Sequence, residues 1–93
     1  MSEEHLLTIE LDNDGKQVFI HGDPQGLELL AKSLSRLAEG ARQGKCEHDH
    51  LYSENWGSWE LTTEPQQEIG VVADHLKIYA WPTVEGGRPY AKK

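Results

Sequence analysis

The residues best suited to chemistry lie in a short run that begins at Cys46 and reads Cys-Glu-His-Asp-His. On a strand, His48 and His50 point to the same side, and Cys46 would lie on that side too. His75, from a later strand, could add a further ligand. A small metal site needs three or four such ligands that converge. Two interpretations therefore stay open: a metal site formed by His48, His50, Cys46 and His75, or a solvated or hydrogen-bonded pair of histidines.

The same run could serve acid–base catalysis, since histidine titrates near neutral pH. In a regular strand, however, Asp49 falls on the face opposite His48 and His50 and cannot orient either ring. The segment 22–26 precedes a helix but lacks the Lys-Ser/Thr pair of a phosphate-binding loop, and no nucleophile motif is present. We therefore expect a protein that is not an enzyme and that needs no cofactor.

A second unusual stretch is Trp56-Gly57-Ser58-Trp59. Around a tight connection at Gly57, we expect at least one of the two tryptophans to be partly exposed, as in many protein-binding hot spots. The alternative is that both indoles pack into the core. Acidic residues are interleaved with tryptophan in this part of the chain. The predicted partner-binding residues are Glu47, Asp49, Glu54, Trp56 and Glu60.

The charge balance narrows the classes of partner. The 93-residue chain has nine Lys and Arg against sixteen Asp and Glu, for a net charge of −7. Nucleic-acid phosphates require a cationic face, so we expect no nucleic-acid partner. An acidic surface suits attraction to a basic protein, although acidity for solubility alone would look the same.

The cellular location is predicted from three features of the sequence. No apolar run approaches the ~20 residues that span a bilayer, and the amino terminus does not resemble a signal peptide. Its single cysteine, Cys46, cannot form an internal disulfide. We expect a cytoplasmic protein with no membrane partner.

The first half of the chain predicts a hairpin and a helix. Alternating polarity predicts strands over 5–11 and 17–21, joined by a turn at 12–15. Asp23 and Pro24 are typical of an N-cap and a first helical position, and the three- and four-residue spacing of leucine predicts a helix over 24–42. The expected inward residues are Leu7, Ile9, Leu11, Val18 and Ile20 in the hairpin, and Leu27, Leu30, Leu34, Leu37 and Ala41 in the helix.

The second half predicts strands over 46–52, 59–63 and 71–81, with a connection at 53–57 and a polar loop at 64–68. The order β-β-α-β-β-β indicates an α+β fold: an antiparallel sheet with one long helix packed on one face. We expect a single domain over 1–82 and a disordered tail over 83–93.

The sheet face without a helix predicts self-association. It would carry Phe19, His21, His75, Tyr79 and Trp81, which mix aromatic and polar groups. An exposed apolar patch of this kind generally marks an interaction site, so we expect a homodimer.

Two segments carry a family resemblance: His48-Asp49-His50-Leu51 and, after a short gap, Trp56-Gly57-Ser58-Trp59-Glu60-Leu61. Together with the leucine-rich helix that starts near Gly26-Leu27, they resemble the immunity protein 32 family of bacterial polymorphic toxin systems. The resemblance covers residues 5–81. It implies an α+β fold and a protein that binds a cognate protein toxin and blocks it, and it supplies no catalytic residues.

Overall fold

The computed structural model describes residues 5–66 and 70–82, so the predicted tail at 83–93 lies outside the described residues. Within these residues, one helix and five strands follow each other in the order β-β-α-β-β-β, which confirms the α+β class. No helix among the described residues is long and apolar enough to cross a membrane. The elements are β1 (Leu7–Leu11), β2 (Val18–Gly22), α1 (Pro24–Arg42), β3 (His48–Tyr52), a 3₁₀ turn (Glu54–Trp56), β4 (Val71–Val72) and β5 (His75–Tyr79).

The strands form two antiparallel sheets. The first has the order β2-β1-β4, and the second is the ribbon β3-β5. The extended segment predicted at 71–81 divides into β4 and β5, which belong to different sheets. The strand predicted at 59–63 was wrong, because only Leu61 forms a bridge, to Ser53. Leu61 donates to the Tyr52 carbonyl and the next residue, Thr62, donates to the Leu7 carbonyl, so this segment crosses from one sheet to the other and extends neither.

Strand β1 is the buried centre of the fold. Leu7 and Ile9 join Leu51 and Leu61 in the hydrophobic core, as their alternation predicted. The polar residues of the opposite face are buried as well, which the alternation did not indicate. Thr8 and Thr62 share a hydrogen bond of 2.7 Å, and the backbone N–H of Gln66 donates to the Glu10 carboxylate. The segment 62–66 therefore covers the second face of β1 and satisfies its polar groups.

The expectation that the apolar residues of β2 face inward was wrong. Val18 and Ile20, predicted to face inward, are 58% and 49% exposed. They share a face with Leu7 and Ile9 through the register of the hairpin. However, β2 is the edge of its sheet, and the core centres on β1 and the second sheet, so this edge extends beyond the covered area.

The helix packs through small residues rather than through its full leucine stripe. Its predicted ends are confirmed, and the Asp23 side chain caps it by accepting from the Gly26 N–H at 2.7 Å. This hydrogen bond lowers the pKa of Asp23. The buried helical positions are Gly26, Ser33, Leu37 and Gly40, whereas two leucines of the predicted stripe, Leu27 and Leu34, are almost half exposed.

Close approach of the backbone explains this rotation of the helix. A Cβ atom at Gly26 would collide with the Leu6 carbonyl, and one at Gly40 would lie 2.7 Å from the Glu47 carboxylate. A larger side chain at Gly26 would hold the helix away from the strands, whereas at Gly40 the flexible end of Glu47 can move aside. The small residues recur every seven positions, which places Gly26, Ser33 and Gly40 along one side of α1.

We predict that Gly26→Ala destabilises the protein, although alanine is the better helix former by about 1 kcal/mol. The added methyl must push the helix start away from Leu6, and overpacking of this kind costs about 1–3 kcal/mol. Urea unfolding measures the change in the free energy of unfolding.

Ser35→Ala is the matched control, since Ser35 is exposed on the same helix. Its stability should stay within about 0.5 kcal/mol of the wild type. A Gly26→Ala variant as stable as this control would show that the close approach at Leu6 does not constrain the helix.

Candidate functional site

The second sheet presents its chemically distinctive residues on its outer face. In the register of β3 and β5, His48 lies opposite Tyr79, and His50 lies opposite Lys77. Side chains alternate along a strand, so the outward set comprises His48, His50 and Tyr52 from β3 and His75, Lys77 and Tyr79 from β5. The intervening residues Asp49, Leu51, Leu76 and Ile78 form the other face, where Leu51 and Leu76 join the core.

The rings on the outer face form a continuous surface through stacked, tilted and edge-to-face contacts. We call this surface the aromatic array: His48, His50, Tyr52, Trp56, His75, Tyr79 and Trp81. Tyr52 and His75 have ring centroids 4.6 Å apart at an interplanar angle of 12°. Trp56 stacks on His75 at 5.5 Å. Even within these contacts, Trp56, Tyr79 and Trp81 are 58%, 52% and 46% exposed. The array is therefore ordered by its own contacts and still open to a partner.

Two histidines of the array pair directly. His50 Nδ1 and His75 Nε2 are 2.9 Å apart, a hydrogen bond in which one ring donates and the other accepts. Desolvation lowers the pKa of His50. Electrostatic repulsion from Lys77, His48 and His75 lowers this pKa further. These effects favour a neutral imidazole at position 50.

The structure brings together three of the four predicted metal ligands. The ring centroids of His48 and His50 are 4.9 Å apart, and His50 is hydrogen-bonded to His75. Cys46 precedes β3 and is exposed. Within residues 5–66 and 70–82, no group of three or more His, Cys, Asp or Glu side chains is arranged to hold a metal ion. Metal binding stays a prediction, and its test is metal analysis of the purified protein and of the His48→Ala variant.

A buried polar network holds Trp56 in place. Ser53 is fully buried, and its hydroxyl donates to Asp74 at 2.7 Å while its own N–H donates to the Asp74 carbonyl. Asn55 completes the network. Its backbone N–H donates to the Ser53 hydroxyl, and its side-chain amide donates to the Asp74 carboxylate. Gly57 ends the turn at a φ of +93°, a conformation that side chains other than glycine rarely adopt. The network ties the 3₁₀ turn to the start of β5 and so sets Trp56 against His75.

The predicted acidic contacts divide into two groups. Asp49 lies on the face opposite His48 and His50, as expected, and accepts hydrogen bonds from Ser33 and Arg36 of the helix. Glu60 accepts from the Tyr52 N–H at 2.9 Å. Both therefore have internal roles. Glu47 and Glu54 are exposed, and Glu54 lies in the turn that carries Trp56.

Trp59 lies apart from the array. It is 65% exposed and meets His5 edge-on at 5.9 Å. Both tryptophans of the Trp-Gly-Ser-Trp stretch are thus more than half exposed, which rules out the interpretation that both pack into the core.

Sequence reasoning missed a groove beside the array. It has a volume of about 400 Å³ and lies between α1 and β5. Leu34 and Ala38 reach it because the helix buries its small residues instead, and the exposure of Leu34 was not visible in the leucine spacing. Tyr79 and Trp81 belong to both surfaces, so the array continues into the groove.

Fold and site together define a small α+β domain with an open aromatic sheet face. The family model of immunity protein 32 matches residues 17–80, which is 64 of the 93 residues. The chain therefore belongs to the immunity protein 32 family. No curated protein and no solved structure matches the chain.

The contact of Asp49 with the helix predicts a pH-dependent contribution to stability. Burial raises the pKa of Asp49, but the hydrogen bonds from Ser33 and Arg36 outweigh it, and the net pKa is lowered. The folded state thus favours the ionised carboxylate. Its stabilisation is complete above the unfolded-state pKa of about 3.9 and is lost as the pH falls through the lower folded-state pKa. Asp49→Asn should cost about 1–3 kcal/mol at pH 7.

Urea unfolding at pH 7, 5, 4 and 3 checks this. The difference between wild type and Asp49→Asn should shrink below pH 4. Asp14→Asn, at an exposed turn position, serves as control and should show no loss at pH 7. A difference for Asp49→Asn that stays constant down to pH 3 would contradict an ionised Asp49 as the stabilising species.

The network at Ser53 predicts that its hydroxyl positions Trp56. Ser53→Ala leaves the Asp74 carboxylate and the Asn55 N–H without this partner, at a cost of about 1–3 kcal/mol. With the tryptophans replaced by 5-fluorotryptophan, ¹⁹F NMR should show a shifted or broadened Trp56 resonance and an unchanged Trp59 resonance. Equal effects on both resonances would indicate general loosening instead of a local role.

Proposed function

We propose that this protein neutralises a cognate bacterial toxin by binding it directly through the aromatic array, without catalysing a reaction. One observation carries the proposal: a continuous set of rings in contact with one another, whose outermost members are about half exposed. Membership of the immunity protein 32 family supports a toxin as the partner.

Binding explains the site better than catalysis does. A catalytic histidine needs a group that orients it and a reacting group within reach. Here His50 is hydrogen-bonded to the imidazole of His75. The Asp49 carboxylate is held by the helix on the opposite face of the sheet. The rings on the outer face of the second sheet contact one another.

The array has the properties of an efficient protein contact. Trp and Tyr are enriched among residues that dominate binding energy. Stacking and the Ser53 network fix Trp56 before any partner arrives, so binding loses less side-chain entropy than it would with mobile rings. Exposed Glu54 lies in the turn that carries Trp56 and suits a basic group on the partner. The Glu47 side chain, by contrast, lies against Gly40 of the helix.

A cytoplasmic location and a homodimer also stay proposals. The face predicted for self-association is divided by the structure: Phe19 and His21 stack at 6.2 Å on the first sheet, whereas His75 and Tyr79 belong to the second. Since the array is assigned to the toxin, a homodimer would have to use the first sheet, where Val18 and Ile20 are exposed.

We predict that Trp56→Ala abolishes protection of cells that express the toxin encoded beside this protein. Truncation of a central hot-spot tryptophan costs about 2 kcal/mol or more, a loss of affinity of about 30-fold. Co-expression measures survival, and co-purification of the two proteins measures the complex.

Trp59→Ala is the matched control, because it removes an equally exposed indole outside the array. It should protect as the wild type does. Full protection by a folded Trp56→Ala variant would overturn the assignment of the array, and protection by neither variant would point to a general loss of fold.

A further inference from the structure

We propose that the aromatic array recognises a cationic side chain of its partner, an arginine whose guanidinium group stacks on Trp56 beside Glu54 and Asp74. This inference rests on the proposed function and adds the chemistry of the recognised group. It concerns the end of the array at the 3₁₀ turn.

The exposed ring of Trp56 is presented at a fixed orientation. Its contacts with Tyr52 and His75, at 6.1 and 5.5 Å between ring centroids, occupy part of the indole and leave 58% of the residue exposed. Tryptophan has the strongest attraction for cations among aromatic residues. A planar guanidinium can stack on it while its N–H groups reach neighbouring carboxylates.

The array already holds one cation in this manner. The ammonium group of Lys77 lies 4.8 Å from the centre of the Tyr79 ring, within the range of cation–π attraction. The outer face of this sheet therefore accommodates a positive charge on its rings.

The surrounding charges favour a second cation at Trp56. Glu54 is exposed in the same turn, and Asp74 is joined to that turn through Ser53 and Asn55. Lys77 is the only lysine or arginine within β3, the 3₁₀ turn and β5. It lies opposite His50 at the middle of the ribbon, and its ammonium group lies over Tyr79, which is at the end of the ribbon away from Tyr52 and His75. The net charge of −7 adds a long-range attraction for a basic partner.

Stacked rings on an open sheet also bind single-stranded nucleic acid in other proteins. Such sites line their rings with a positively charged groove that follows the phosphates. Here the turn that carries Trp56 contains Glu54 and is hydrogen-bonded to Asp74, so a protein cation is the better occupant.

The test is a titration followed by ¹⁹F NMR on protein labelled with 5-fluorotryptophan. Three short Gly-rich peptides differ only in one repeated residue: arginine, lysine of equal charge, or citrulline of equal shape but no charge. A single-stranded oligouridine is the fourth probe. The arginine peptide should shift the Trp56 resonance at least threefold more than lysine or citrulline at equal concentration, and should shift Trp59 far less.

The Glu54→Gln variant should reduce the arginine-specific shift at Trp56, and Glu64→Gln, at an exposed position outside the array, should not. Equal shifts with arginine and lysine, or with arginine and citrulline, would overturn the inference. A Trp56 shift with oligouridine alone would overturn it too, in favour of a nucleic-acid ligand.

The two proposals fail separately. If Trp56→Ala loses protection against the toxin while the peptides show no arginine preference, the binding surface stands and its partner chemistry is different. If Trp56→Ala still protects, the proposed function of the array fails whatever the peptides show.

Discussion

The rest of the described structure depends on how closely β3 approaches α1. This helix covers parts of both sheets, and it does so by placing Ser33 and Gly40 against β3 and the residues that precede it. Ser33 and Arg36 hold the Asp49 carboxylate, and the Glu47 side chain lies over Gly40. Once Asp49 and Leu51 face the helix and core, the alternation of a strand leaves His48, His50 and Tyr52 no direction but outward. The outward direction of these rings is thus a consequence of how β3 packs against the helix.

The same constraint explains why the array is ordered. Strand β5 is held to β3 along its whole length, and the Ser53 network attaches the 3₁₀ turn to the residue before β5. Three separate segments therefore contribute rings whose positions are each fixed by backbone or buried polar contacts. Residues 61 and 62 then connect this ribbon to the buried strand β1. Under the proposed function, a surface fixed in this way would change little on binding, as preorganised interfaces generally do.

Local signals in the sequence were sufficient for the hairpin, the helix and β3, and for the outward direction of the histidines. Asp23 and Pro24 marked the helix start, and the alternation around His48 placed Asp49 on the opposite face, as observed. What could not be predicted depends on contacts distant in sequence. The exposure of Val18 and Ile20 follows from the edge position of β2, and the rotation of α1 follows from the carbonyl of Leu6 beside Gly26. The bridge at Leu61 follows from hydrogen bonds to two different sheets. No periodicity within a single segment contains that information.

The most direct test of the array as the toxin-binding surface is oxidative footprinting of the protein alone and in complex with its toxin. Hydroxyl radicals modify exposed aromatic side chains, so the method reports which rings become covered. The account predicts strong protection of Trp56 and Tyr79 in the complex and unchanged oxidation of Trp59, which is equally exposed but lies outside the array. Protection of Trp59, or of Phe19 on the first sheet, with Trp56 and Tyr79 still oxidised would contradict it.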